Sequence, residues 1–155
     1  MRVQKYVTKT QVQELIVNSI TLLPAKVFEE CGKRIPLLET YWWLRDAGET
    51  SRESRAMGVY YDGTLDQYGT IVKSTIYAVR PALEVNQTGG DWGVGDKFRL
   101  FGYDWTIISD RYALCDSSIG TCCFREDDQA EDADQYEASD VKKFVEKWLE
   151  EQQAK

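Results

Sequence analysis

A chain of 155 residues with 43% hydrophobic side chains is long enough to bury one core without disulfide or metal staples. Its net charge of −7 sits in one stretch, since Glu126 to Asp140 holds acids and no base, and the rest is near neutral. That distribution argues against direct nucleic-acid binding, which needs a Lys/Arg stripe, and against docking on an anionic membrane.

Met1-Arg2-Val3-Gln4-Lys5 runs into polar residues rather than an apolar signal region, and no stretch approaches a membrane span. A cytoplasmic location is expected, with virion association as the alternative. Val12, Leu15, Ile16 and Ser19 fall at roughly helical spacing, while Ser19 to Leu23 reads as a strand stopped by Pro24. Ala25 to Cys31 suits a short helix, with Pro24 near its first turn and Gly32 past its end. From Tyr41 to Val85 the pattern predicts strands at 41–45, 56–61, 70–73 and 76–85, separated by Gly48, Asp62-Gly63 and Gly69. Asp62-Gly63 reads as a two-residue turn because both residues tolerate positive φ.

Asn86 to Gly90 is a loop, and a seam near 86–92 divides the single domain 1–155 into possible lobes, 1–88 and 89–155. Beyond it, strands are predicted at 96–101, 105–108, 112–115 and 122–125, with a turn at Gly102-Tyr103-Asp104. Val141, Phe144, Val145, Trp148 and Leu149 form an apolar stripe, so 139–151 reads as an amphipathic helix capped by Ser139.

Histidine is absent, which removes the usual general base, the Ser-His and Cys-His nucleophile arrangements, and the commonest zinc ligand. Cys115, Cys122 and Cys123 lack the paired spacing of structural zinc, and with Cys31 they are expected to be reduced and packed. The acidic patch of Asp127, Asp128, Glu131, Asp132 and Asp134 invites a calcium reading but lacks the EF-hand order. It reads as a solvated loop, or as a phosphate mimic that blocks a nucleic-acid-binding partner. Thr88 to Gly95 is glycine-rich without the ending of a phosphate-binding loop. No metal and no cofactor are expected.

Aromatic and arginine residues remain. On a strand at 41–45, Trp42 and Leu44 face one way, and Tyr41, Trp43 and Arg45 the other. One face would be core and the other would offer an aromatic beside a guanidinium. Trp42, Arg80 and Pro81 are expected to hold the fold. Trp43, Arg45, Arg55, Tyr60 and Tyr61 are the candidate ligand-binding residues.

Trp42-Trp43-Leu44-Arg45, Gly48, Gly58-Val59, Asp62-Gly63 and Val79-Arg80-Pro81-Ala82-Leu83 together resemble an uncharacterised bacterial and phage domain family. Its members show Trp-Trp-Leu-Arg-Ser-Pro-Gly, an Asp-Gly turn and Gly-Val-Arg-Pro-Ala-Leu, and it resembles the C-type-lectin-like fold. Residues 95–125, from Gly95-Asp96-Lys97-Phe98 through Phe101-Gly102-Tyr103-Asp104-Trp105, are similar to the segment that usually opens such domains, so the order looks permuted or the two pieces are separate lobes. Asp46-Ala47 and Ala78 depart from the pattern, and the sugar- and calcium-binding motifs of true C-type lectins are missing. The resemblance implies a fold and a binding role, not an activity.

The expectation is therefore an α+β domain of short antiparallel strands with flanking helices, C-type-lectin-like. Its leading function is a non-enzymatic binding module for a protein or peptide, phage- or mobile-element-encoded in one version. The alternative is an acidic inhibitor that places residues 126–140 in a basic groove of a host protein.

Overall fold

The computed structural model describes residues 4–6, 16–49, 53–85 and 93–155. In chain order these form β1 (Gln4–Tyr6), β2 (Ile16–Leu22), α1 (Ala25–Cys31), β3 (Trp42–Ala47), β4 (Arg55–Val59) and β5 (Leu65–Ile71). There follow β6 (Pro81–Val85), β7 (Lys97–Leu100), β8 (Tyr103–Ile107), β9 (Tyr112–Cys115) and α2 (Asp140–Gln153). The class is α+β, as expected. A six-stranded sheet runs β1-β7-β8-β9-β6-β2, and a three-stranded sheet runs β3-β4-β5. All pairings are antiparallel except β1 with β7.

Proline and serine punctuate the helices as their chemistry requires. Pro24, at φ −65° and ψ 143°, ends β2 and leads into α1. Gly32 does not take the left-handed cap conformation; it continues at φ −49° into a 3-10 turn, Gly32–Arg34. Ser139 Oγ accepts from Lys142 N at 3.0 Å and caps α2, whose Val141, Val145 and Trp148 are buried. Residues 11–15 of the helix-like spacing lie outside the described residues, and Ile16 to Ser19 belong to β2.

Three expectations about the strands are corrected. Residues 76–85 are not one strand: Tyr77–Val79 is a separate link, and β6 begins at Pro81, which needs no N–H there. Residues 122–125 are not a strand either; Thr121 makes a single bridge to Ala78, which also bridges Trp42. Ala78 N donates to Tyr41 O at 2.8 Å and Val79 N to Gly120 O at 2.8 Å, so this link stitches the two sheets together. Gly69 does not separate strands but sits inside β5 at φ +96°, where the register against β4 slips.

Both turns are also re-registered. Gly63 N donates to Tyr60 O at 2.8 Å and only Gly63 has positive φ, so Tyr61-Asp62-Gly63 is a three-residue loop. Phe101 and Gly102 both have positive φ, which starts β8 at Tyr103. The expected seam at 86–92 lies outside the described residues, and the large sheet takes β1, β2 and β6 from before it and β7–β9 from after it.

Two apolar clusters fill the interior. One joins Trp43, Tyr77, Trp105 and Phe124 to the buried stripe of α2; the other joins Trp42, Leu44, Leu114 and Ile108 to Phe28 of α1. Trp42 and Leu44 therefore face away from Trp43, as alternation requires, yet both faces of this half of β3 are covered. One core face and one open face is not what forms.

Gly58 shows how closely the Tyr77 ring packs on the three-stranded sheet. A Cβ there would meet Tyr77 Cε2 at 2.7 Å and Trp42 O at 2.8 Å. Gly58→Ala is expected to destabilise the fold by about 1–3 kcal/mol, read as a lower urea midpoint with an unchanged slope. An unaltered midpoint would contradict this packing.

Candidate functional site

Trp42 and Arg80 are both buried in the interior. Arg80 is wholly buried, with its guanidinium 4.9 Å from the Trp42 ring centroid. It donates from Nε to Cys115 O at 2.6 Å and from Nη2 to Pro36 O at 2.8 Å. Pro81 is buried at the start of β6, opposite Leu22.

The five candidate ligand-binding residues do not share one surface. Trp43 is 0% exposed: its ring stacks on Tyr77 at 4.3 Å and meets Phe124 edge-on, and Nε1 donates to Cys122 O at 2.8 Å. Arg45 is half-buried and turns its charge toward Tyr136 and Glu137 of the acidic segment. Arg55 belongs to the β5 bulge, where Nη1 donates to Gly69 O at 3.0 Å and the guanidinium lies over Tyr68. Tyr60 and Tyr61, 39% and 59% exposed, stand together on the β4–β5 hairpin.

What gathers around those two tyrosines was not foreseen. Tyr41 meets both edge-on, at 6.1 and 5.8 Å, and stacks on Tyr77 beneath. Leu37, 56% exposed, reaches the hairpin, its Cδ1 3.1 Å from where a Gly63 Cβ would stand. Beside the loop, an open cleft of about 730 Å³ runs between Phe28–Arg34 on one wall and Gly63 and Leu65 on the other. That volume falls within the range of ligand-binding clefts. Glu39, exposed, holds a left-handed backbone at φ 55°. Nothing in the one-letter pattern marks residues 37–39, which occupy an irregular connection.

Polar groups brace the hairpin from inside. Asp66 is 4% exposed and accepts from Gly69 N at 3.0 Å and Thr70 Oγ1 at 2.9 Å. Thr70 Oγ1 also bonds Tyr77 OH at 2.6 Å. At the tip, Asp62 Oδ1 accepts from Thr64 N and Oγ1, which holds its carboxyl below the usual range.

The acidic segment is folded in place. Ala133 and Tyr136 are buried, Glu126 N donates to an Asp140 carboxylate oxygen, and Arg125 donates to Ala138 O and pairs with Asp132. Asp127, Glu131 and Asp132 are exposed, whereas Asp128 and Asp134 are half-buried. No group of three or more Cys, Asp or Glu side chains among the described residues converges as a metal site.

All four thiols are free, Cys31 and Cys115 buried and Cys122 and Cys123 half-buried. Burial pushes Cys115 and Cys122 up to about 11. Above pH about 9 the unfolded chain releases the Cys115 proton, whereas the folded chain keeps it until about 11. Stability is therefore expected to fall across that window, by about 2–3 kcal/mol for this thiol at most. Urea midpoints at pH 8 and pH 10.5, compared between wild type and Cys115→Ala, check it; equal pH slopes would refute the assignment.

Residues 6–87 match the family described as Domain of unknown function (DUF6273), just over half of the chain, and the chain belongs to that family. The Trp42–Arg45 and Val79–Leu83 segments both lie inside the matched region. No curated protein and no solved structure matches the chain. No helix among the described residues is long and apolar enough to cross a membrane.

Proposed function

We propose that the chain is a non-enzymatic binding module that takes a protein or peptide on the Tyr60–Tyr61 hairpin and the adjoining cleft. The observation that supports this is the segregation of exposed apolar surface. Among the described residues, the exposed large hydrophobics are Leu37, Tyr60, Tyr61, Tyr68, Ile71 and Ile76, all in or beside the three-stranded sheet. Of these, Leu37, Tyr60 and Tyr61 meet at the hairpin tip, and contiguous exposed apolar surface, unlike scattered single residues, is the signature of a contact area. The C-type-lectin-like likeness and a phage or mobile-element origin belong to this reading through the sequence motifs alone.

The test is capture of partners from the native host with wild type and with a Leu37→Ser/Tyr61→Ala double variant. A partner retained by the first and lost by the second, with equal melting temperatures, supports the reading; equal retention overturns it.

A second reading keeps the acidic segment as the contact. Its support is that the exposed carboxylates of Asp127, Glu131 and Asp132 are carried on a segment anchored by Ala133 and Tyr136. An inhibitor of a basic groove would bind less tightly as salt rises. Retained binding after Asp127, Asp128, Glu131 and Asp132 are neutralised would exclude it.

A further inference from the structure

We infer that Cys122 and Cys123 are a modification site: a thiol pair that closes into a disulfide with itself by exchange with a small disulfide, and in closing releases the Trp43 indole from its hydrogen bond.

Three observations carry it. The first is that these two thiols stand together and can be reached. Cys31 and Cys115 are buried, whereas Cys122 and Cys123 are half-buried and hydrogen-bonded to each other. That bond lowers Cys123 and raises Cys122, so the Cys122 thiol donates and the Cys123 sulfur is the one favoured as thiolate.

The second is the backbone that carries them. After the Thr121 bridge the chain follows no strand through Arg125. A disulfide between chain neighbours closes an eight-membered ring around the peptide that joins them. Neighbouring Cα atoms are only about 3.8 Å apart, shorter than the usual disulfide separation, so such a bridge is strained and easily reduced again. A residue in a ladder could not turn that peptide without breaking its pairing. In an irregular segment the turn costs less.

The third is what the peptide holds. Its carbonyl is Cys122 O, which accepts from Trp43 Nε1 at 2.8 Å, and Cys122 N donates to Tyr77 O at 3.3 Å. Trp43 is wholly buried between Tyr77 and Phe124. Turning Cys122 O aside leaves a buried indole N–H without its acceptor, so the change at the pair is felt in the core.

The exchange balances with a small disulfide R–S–S–R as oxidant. Cys123 gives up its proton and its thiolate attacks one sulfur, expelling R–S⁻, which takes up that proton. Cys122 then loses its proton and attacks the Cys123 sulfur, and the second R–S⁻ leaves and is protonated in turn. The protein pair is oxidised by two electrons and R–S–S–R is reduced to two thiols. Burial raises both protein thiols, and the carboxylates of Asp140, at the start of α2, and Glu126 add to the rise. The rate should therefore climb about tenfold per pH unit from pH 7 to 8.5, following the thiolate fraction.

The test treats the full chain with hydroxyethyl disulfide, whose lack of charge avoids repulsion by Asp140 and Glu126. Loss of two thiols per chain is expected, with peptide fragmentation placing the bridge between Cys122 and Cys123, and dithiothreitol should restore both thiols. Cys123→Ser and Cys122→Ala should each prevent the bridge, and Cys115→Ala should leave it intact. The Trp43 indole N–H resonance, assigned by its absence in Trp43→Phe, should shift on oxidation of wild type and stay in place in treated Cys123→Ser. A mixed disulfide that never closes, a bridge to Cys115, a bridge between two chains, or two thiols that survive at pH 8.5 would each overturn the inference. So would a Cys122–Cys123 bridge that leaves the Trp43 resonance unmoved, because the pair would then be oxidised without consequence for the core.

Discussion

Trp43→Ala is expected to lower folding stability by about 3–5 kcal/mol, the range for emptying an aromatic core site. For a chain of this size, that lowers the melting temperature by roughly 10 °C or more. Trp43 is fully buried, and its ring links Tyr77 to Phe124 across the seam between the sheets. The loss is therefore not local: a void there removes contacts from β3, from the Tyr77–Val79 link and from the segment leading into α2. Trp43→Phe fills most of the space but leaves Cys122 O without the donor that Nε1 supplies at 2.8 Å. About 1–3 kcal/mol should remain lost in that variant, the cost of one unpaired buried carbonyl. Tyr61→Ala, at the exposed hairpin tip, should change stability by no more than about 0.5 kcal/mol. Urea unfolding of the three variants would decide the matter. Equal midpoints for Trp43→Ala and wild type would return Trp43 to the surface role first expected of it.

That reversal shows where a sequence stops being readable. The α2 stripe and the Pro24 boundary are local, set by the residues that form them, and both lie within a residue or two of the expected limits. Alternation on β3 is local too, and it correctly separates Trp42 from Trp43. Whether a face is covered is not local. Phe124 and Tyr136, which lie over the Trp43 side, come from a segment that reads as a strand at one end and a solvated acid run at the other. Cys122–Arg125 has strand-like side chains, but its backbone groups go to Tyr77 and Val72 rather than to a ladder. The candidate site was half visible for the same reason. Tyr60 and Tyr61 beside an Asp-Gly pair announce a hairpin tip, whereas Leu37, Glu39 and Tyr41 reach that tip from an irregular connection. Asp66 could not be singled out among the chain's acids, because only the Gly69 bulge turns a backbone N–H onto it.

Arg80→Ala is the second large expected loss, again about 3–5 kcal/mol, because it strips donors from carbonyls that stay buried. Cys115 O at the end of β9, Pro36 O in the connection before β3, and the Trp42 face all converge on this one guanidinium. Burial lowers its pKa to about 10, so it remains charged at neutral pH. Its Nη1 has no partner among the described residues, so the charge itself is imperfectly compensated. What the residue contributes is geometry, a planar fork that reaches two carbonyls in different segments at once. Lysine offers a single ammonium and cannot reproduce that fork, so Arg80→Lys should recover only a minor share of the loss. The consequence reaches the surface. Pro36 adjoins Leu37, so the Nη2 bond to Pro36 O fixes the connection that carries Leu37 and Glu39 to the hairpin. Arg80→Lys, assayed well below its melting temperature, should therefore weaken a hairpin-binding peptide although Arg80 never touches solvent. Leu37→Ser in the same background should then add less than it does alone, because the two changes act through one segment. Full additivity of the two would detach Arg80 from the binding surface and leave it a purely interior clamp.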